Sequence, residues 1–181
     1  SGNVTVERFI NVGNGGTQHT PSWQFVATPT QGQTVKESWM ENGSTPVGYG
    51  TQVTSPTGFG FDAVTPGASL KSYVSSSDSW LGIPNTGVPV YKPEGYMLFV
   101  RGDRSFSYPH IGNTTLRTSG TLFSATNQPS PIPVTAGKYA SVGNPYASAI
   151  YINKFMAAVS GVNDIFYVWD PTLGGDYGVG A

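Results

Sequence analysis

Apolar and polar positions alternate with a period of two in several short runs, each closed by Gly, Pro, Asn or Ser. Residues 4–10 (VTVERFI) read as a strand with one covered face, and residues 22–27 (SWQFVA) as a second, closed by Thr28-Pro29. Between them, residues 11–21 are a glycine-rich loop holding His19. Residues 34–42 (TVKESWMEN) predict one or two helical turns. Thr34 caps them with Glu37 three residues on, Gly43 stops them, and Val35 and Trp39 share their buried face. A short strand is expected at 48–54, an aromatic-glycine loop at 58–62, and a hairpin of 69–74 with 78–83 across Ser75-Ser76-Ser77. Residues 84–93 are loop.

The period then breaks. Residues 96–100 (YMLFV) are apolar without interruption, which suits a central strand covered on both faces, and they run straight into Arg101-Gly102-Asp103-Arg104. Residues 114–122 set Leu116, Thr118 and Gly120 against Thr115, Arg117 and Ser119. Three prolines in alternation at 128–133 permit only an edge strand or a connector. Short strands are expected at 138–142 and 148–152, then a helix over 154–160 capped by Asn153 and ended by Gly161. One helix over 148–159, with Ile150, Tyr151, Phe155 and Val159 on one face, is the competing reading. Residues 164–169 (DIFYVW) predict a strongly apolar strand that Asp170-Pro171 ends. These elements predict an all-β fold: an antiparallel β-sandwich, jelly-roll-like, with one short helix near residues 153–160.

Composition narrows the classes. With 181 residues, 24 Gly and 14 Pro, the chain sustains one core and shows no linker or repeat, so residues 1–181 read as a single domain. Nine basic and ten acidic residues lie scattered, without the basic stripe that nucleic acid demands. No apolar run is long enough to cross a membrane and no basic amphipathic helix would lie on one. The absence of cysteine removes disulfides, thiolate chemistry and Cys-ligated zinc together. A chain this low in charge and cysteine, rich in Gly, Thr, Asn and aromatics, points to an extracellular or cell-surface setting.

The candidate chemistry is a binding set rather than a catalytic one. Trp80 follows a Ser/Asp-rich stretch and precedes a loop, so an exposed ring there would stack on the apolar face of a sugar, with Asp78, Asn85 and Tyr91 bonding its hydroxyls. Packing of Trp80 in the core or against a subunit is the plainer alternative. Trp23, Trp39 and Trp169 read as core residues. Arg101-Gly102-Asp103 spells the tripeptide that integrins read, but at the end of a core strand Arg101, Asp103 and Arg104 are better explained as locks on a turn. Asp170 and Asp176, around Gly174-Gly175, make a sparse candidate for Ca²⁺, and no cofactor is otherwise indicated. The two histidines, His19 and His110, lie far apart, and no nucleophile or phosphate-loop motif is present. A carboxylate pair among Glu37, Glu41, Glu94 and the aspartates is the remaining route to an enzyme.

Several phrases together resemble a recurrent module of large cell-surface and secreted proteins of Bacteroidetes, many of them type IX secretion cargo. They are residues 4–10, Trp23 to Val26, Ser38 to Glu41, Gly48 to Thr51, Gly60 to Ala63, Tyr96 to Ser105, Thr114 to Arg117, Val142 to Tyr146 and Tyr167 to Pro171. The resemblance implies an adhesin-like surface module that is part of a longer protein, and it brings no catalytic motif. One departure is the end of the chain soon after Asp176, where relatives continue. The expectation is therefore a non-catalytic module for adhesion or glycan binding. A structural spacer or self-assembling filament or surface-layer subunit is the alternative, and a hydrolase with a carboxylate site the third.

Overall fold

The computed structural model describes residues 2–12, 21–105, 112–124, 126–171 and 179–180. Its strands are β1 (Val4–Ile10), β2 (Ser22–Val26), β3 (Thr30–Gln31), β4 (Leu70–Val74), β5 (Ser79–Gly82), β6 (Tyr96–Val100), β7 (Thr114–Leu122), β8 (Trp169–Asp170) and β9 (Val179–Gly180). One α-helix, α1, spans Ile152–Ala158. The strands form two main antiparallel sheets, a three-stranded one in the order β1-β7-β3 and a four-stranded one in the order β2-β6-β4-β5, while β8 pairs with β9. This is the β-sandwich that the alternation predicts.

The core lies between the sheets. From the four-stranded sheet it takes Val26, Leu70, Tyr96, Leu98 and Val100, and from the three-stranded one Ile10 and Leu116. Trp39, Met40, Val35, Val53 and Val90, from the connections, fill the ends. Trp39 meets Tyr96 edge-on at 5.8 Å, the geometry that aligns a ring edge with a ring face. On β1 only Ile10 is fully buried, because β1 is the sheet's edge and the core does not reach its first residues.

The capping box forms without the helix. Thr34 donates its backbone N–H to Glu37 Oε2 at 2.8 Å, and the Glu37 N–H returns to Thr34 Oγ1 at 3.2 Å. The turns that follow are irregular, ending in a 3-10 turn at Glu41–Gly43, with Glu41 and Asn42 at φ of 50° and 56°. The hairpin β4–β5 turns through a 3-10 segment, Ser75–Ser77, with Asp78 left-handed at φ 53°. Residues 48–54 make only a parallel bridge, Tyr49 to Thr115, rather than a strand. Residues 138–142 and 148–152 form no strand, and 164–169 contributes only Trp169. Asn153 sits inside α1, whose N-cap is Tyr151, without a side-chain bond. From residue 126 to 171 no described residue is buried, so the propensities there act without a core to organise them.

The charged turn after β6 folds inward. Asp103 and Arg104 are 4% and 5% exposed. The Arg104 guanidinium makes a forked pair with Asp62, Nη1–Oδ2 2.7 Å and Nη2–Oδ1 2.9 Å, and donates to the carbonyls of Ser44 (2.7 Å) and Thr51 (3.0 Å). Asp103 accepts the Gly48 N–H at 2.5 Å and the Ser105 N–H at 2.7 Å. Arg101 stays half-buried, lying 4.7 Å over the Phe99 ring and donating to Thr65 Oγ1 at 3.3 Å. Gly50, at φ 65°, threads between this pair and a second one: a Cβ there would meet Glu41 Cγ at 2.7 Å and Arg104 Cδ at 3.0 Å. The second pair is Arg117 with Glu41, whose carboxylate takes both Arg117 Nε and Nη2 while the guanidinium lies 4.2 Å over Tyr49.

Replacing Arg104 with Ala is expected to remove about 3–5 kcal/mol of stability, read from urea unfolding, since it leaves the largely buried Asp62 carboxylate only the Val53 N–H. A loss below about 1 kcal/mol, the range of exposed ion pairs, would contradict this role.

Candidate functional site

Alternation along a strand sends successive side chains to opposite faces, and in the four-stranded sheet both faces are apolar. On β2, Ser22, Gln24 and Val26 point into the core, with Gln24 Nε2 donating to Ser22 Oγ at 2.9 Å. Trp23 and Phe25 therefore point out. On β6 the outward residues are Met97 and Phe99, on β4 Lys71 and Tyr73, and on β5 Trp80, all half-buried. Phe25 is 38% exposed.

These rings form a three-ring ladder and a separate pair on the sheet. Tyr73 meets Trp80 at 5.3 Å, Trp80 meets Phe25 at 5.1 Å, and Trp23 meets Phe99 at 5.2 Å. Charges edge it, with Lys71 Nζ 4.6 Å from the Trp23 ring centre and the Arg101 guanidinium over Phe99. At the hairpin end, the Tyr73 hydroxyl donates to Asp78, and Lys138 Nζ lies 3.7 Å from the same carboxylate. Desolvation, then the Asp78 charge and hydrogen bond, push the Tyr73 phenol up to about 12, and that hydrogen bond holds the Asp78 carboxyl below its ordinary value. Aromatic faces bordered by a carboxylate and ammonium groups can stack an apolar ring face and bond polar groups at its perimeter.

One residue from elsewhere in the chain already stacks here. Trp169 on β8 lies parallel to Phe25, 16° between planes and 5.7 Å between centres, and its indole N–H donates to the Trp23 carbonyl at 2.7 Å.

The four residues singled out for sugar binding separate into groups. Asp78 and Trp80 both touch Tyr73 and lie on the outer face. Asn85 sits in the loop after β5, where its Oδ1 accepts the Gly87 N–H at 2.9 Å and its backbone bridges Phe59. Phe59 itself is 89% exposed, held out between Gly58 and Gly60, where a Cβ would strike the Pro84 carbonyl oxygen and Thr86 Oγ1. Tyr91 packs on Phe123 at 4.4 Å, and its buried hydroxyl finds no partner among the described residues, as does Glu94 Oε2. Neither Asn85 nor Tyr91 shares a hydrogen bond or ring contact with Trp80 among the described residues. Of the remaining tryptophans only Trp39 is fully buried; Trp23 and Trp169 are half-buried on the outer face. Phe25, Tyr73, Lys71, Trp23 and Trp169 complete the surface, and sequence reading missed them as a set. The spacing Trp23-x-Phe25 signals a shared face, but Ser22 and Gln24, which point inward, disguise which face it is.

A second opening, between the sheets, is lined by Val6, Arg8, Val26, Ala27, Pro29 and Trp39 among others and encloses about 30 Å³, room for water but not for a sugar ring. Arg8 Nη1 reaches from it to the Phe25 carbonyl at 3.3 Å. No group of three or more potential metal ligands occurs among the described residues. Asp176 lies outside the described residues, as do His19 and His110. Compared with known proteins, the chain matches no family model, no curated protein and no solved structure.

In an alkaline absorbance titration, Tyr73→Phe should remove a phenol that titrates near pH 12, not near the ordinary value of about 10. Because the folded value is raised, the stability this group contributes is complete below the unfolded value and is lost as pH rises through the folded one. A missing component centred near pH 10 would show that Tyr73 is free of Asp78.

Proposed function

We propose that the protein is a non-catalytic binding module of an extracellular or cell-surface protein, and that the outer face of its four-stranded sheet takes a carbohydrate. The observation that carries this reading is the ladder Tyr73–Trp80–Phe25 with Asp78, Lys138 and Lys71 at its border. A flat aromatic surface, on which Trp169 already occupies the Phe25 end, suits a sugar chain lying along Trp80 and Tyr73 better than a small molecule that needs a pocket. Of the carboxylates a hydrolase would draw on, Asp62 and Glu41 are committed to Arg104 and Arg117 and Glu37 to its own cap, while Glu94 Oε2 is buried without a partner among the described residues. The resemblance to Bacteroidetes surface modules agrees with the extracellular assignment.

A structural role in self-assembly is the second reading. It is favoured by four consecutive exposed apolar residues, Ile165 to Val168, which are 49–68% exposed.

Titration with soluble oligosaccharides chosen from a glycan array should change the tryptophan emission of the wild-type chain, and Trp80→Ala should abolish binding while leaving the unfolding free energy from urea within about 1 kcal/mol of wild type. A blank array, or array binding that survives Trp80→Ala, would sink the platform as the sugar site.

A further inference from the structure

Trp169 belongs to a part of the chain that is otherwise barely attached. The helix α1 before it contains no buried residue, and residues 160–168 are all exposed. Over that stretch the described ring contacts come to one, Tyr167 edge-on to Tyr139 at 5.9 Å, between two residues that are themselves 68% and 61% exposed. At its end, Trp169 makes two well-defined contacts, the parallel stack on Phe25 and the bond to the Trp23 carbonyl. The arrangement is a specific key on an exposed strap, seated on a sheet face that is apolar independently of it.

The strap has a second property. Ile165, Phe166, Tyr167 and Val168 favour a strand by residue type yet form no ladder, and all four expose apolar surface to water. Closing the key within one chain leaves this stretch unpaired. Closing it on a second chain costs none of the Trp169 contacts, which are identical in both arrangements, and it brings two straps side by side about a two-fold axis. There the two IFYV stretches can pair antiparallel and bury their side chains against one another.

We infer that the protein dimerises by exchanging its C-terminal strap: Trp169 of each copy stacks on Phe25 and bonds the Trp23 carbonyl of the other, while residues 165–168 of the two copies pair. The occupant of the outer sheet face in that state is a second copy of this chain. The proposal rests on the self-assembly reading and does not require carbohydrate binding; Trp169 covers Phe25 in the monomer and in the dimer alike. Intramolecular closure through a short tether competes at an effective concentration of roughly a millimolar, so the exchanged form gains ground as protein concentration approaches that range.

Tether length is the lever that separates exchange from simple apolar adhesion. Deleting residues 161–164 removes about 13 Å of reach while sparing both Trp169 and the IFYV stretch. Light scattering should then show a dimer of twice 19.1 kDa at a protein concentration at least about tenfold lower than for the full-length chain, because the shorter tether disfavours closure on the chain's own Phe25. In the full-length chain Trp169→Ala should abolish dimerisation up to roughly millimolar concentration, although IFYV is intact. A shortened chain that stays monomeric, or a Trp169→Ala chain that dimerises as the wild type does, overturns the proposal; the second result would assign association to the exposed strap alone. The shortened chain tests exchange without touching any aromatic residue, so it decides the matter even if Trp169→Ala perturbs folding.

Discussion

A sheet whose two faces are both apolar must be covered twice, and the sandwich covers β2-β6-β4-β5 only once. The inner face closes on the three-stranded sheet through Leu98, Val100, Leu70 and Leu116. The outer face keeps Trp23, Phe25, Tyr73, Trp80 and Phe99 half in water, relieved by contacts among the rings themselves and by one visiting residue, Trp169. A sugar laid on the rings would add to the missing layer, whereas a strap exchanged between copies would keep the same Trp169 cover and bury residues 165–168.

Charge is spent in the opposite place. The chain has few charged side chains, yet Arg104, Asp103 and Glu41 are buried, each with its hydrogen-bonding capacity met by a fixed partner. Arg104 ties the turn after β6 to the loops at Ser44, Thr51 and Asp62, and Arg117 on β7 holds Glu41. Loops that contain little regular structure are thereby pinned to the ends of both sheets. The register of β4, β5 and β6 decides which rings share the outer face.

Much of the fold could be read from residues alone, and the failures have a common cause. Residues 96–100 and 114–122 carry unambiguous patterns, and the strands fall there. The Thr34/Glu37 cap is local chemistry and forms as the spacing demands, even though the turns after it are irregular. Strand propensity misled over 138–142, 148–152 and 164–168, because a β-favouring stretch becomes a strand only where a partner edge is offered. The ladder of rings was hidden for a related reason: Ser22 and Gln24 satisfy each other inside the core, so β2 buries its polar residues and shows its aromatic ones. Which residues from distant strands meet over one face, such as Phe25 with Trp80, is set by sheet order, and a single sequence does not display sheet order.

The central claim is that three of the four tryptophans work at a surface while one is structural, and fluorine NMR of the 5-fluorotryptophan-labelled chain tests it most directly. Trp39, fully buried, serves as the internal reference. The account predicts that the signals of Trp23, Trp80 and Trp169 shift between H₂O and D₂O and respond to added oligosaccharide or to rising protein concentration, while that of Trp39 stays still. Four signals that are all insensitive to solvent, sugar and concentration would contradict it, and would make the outer face a second core.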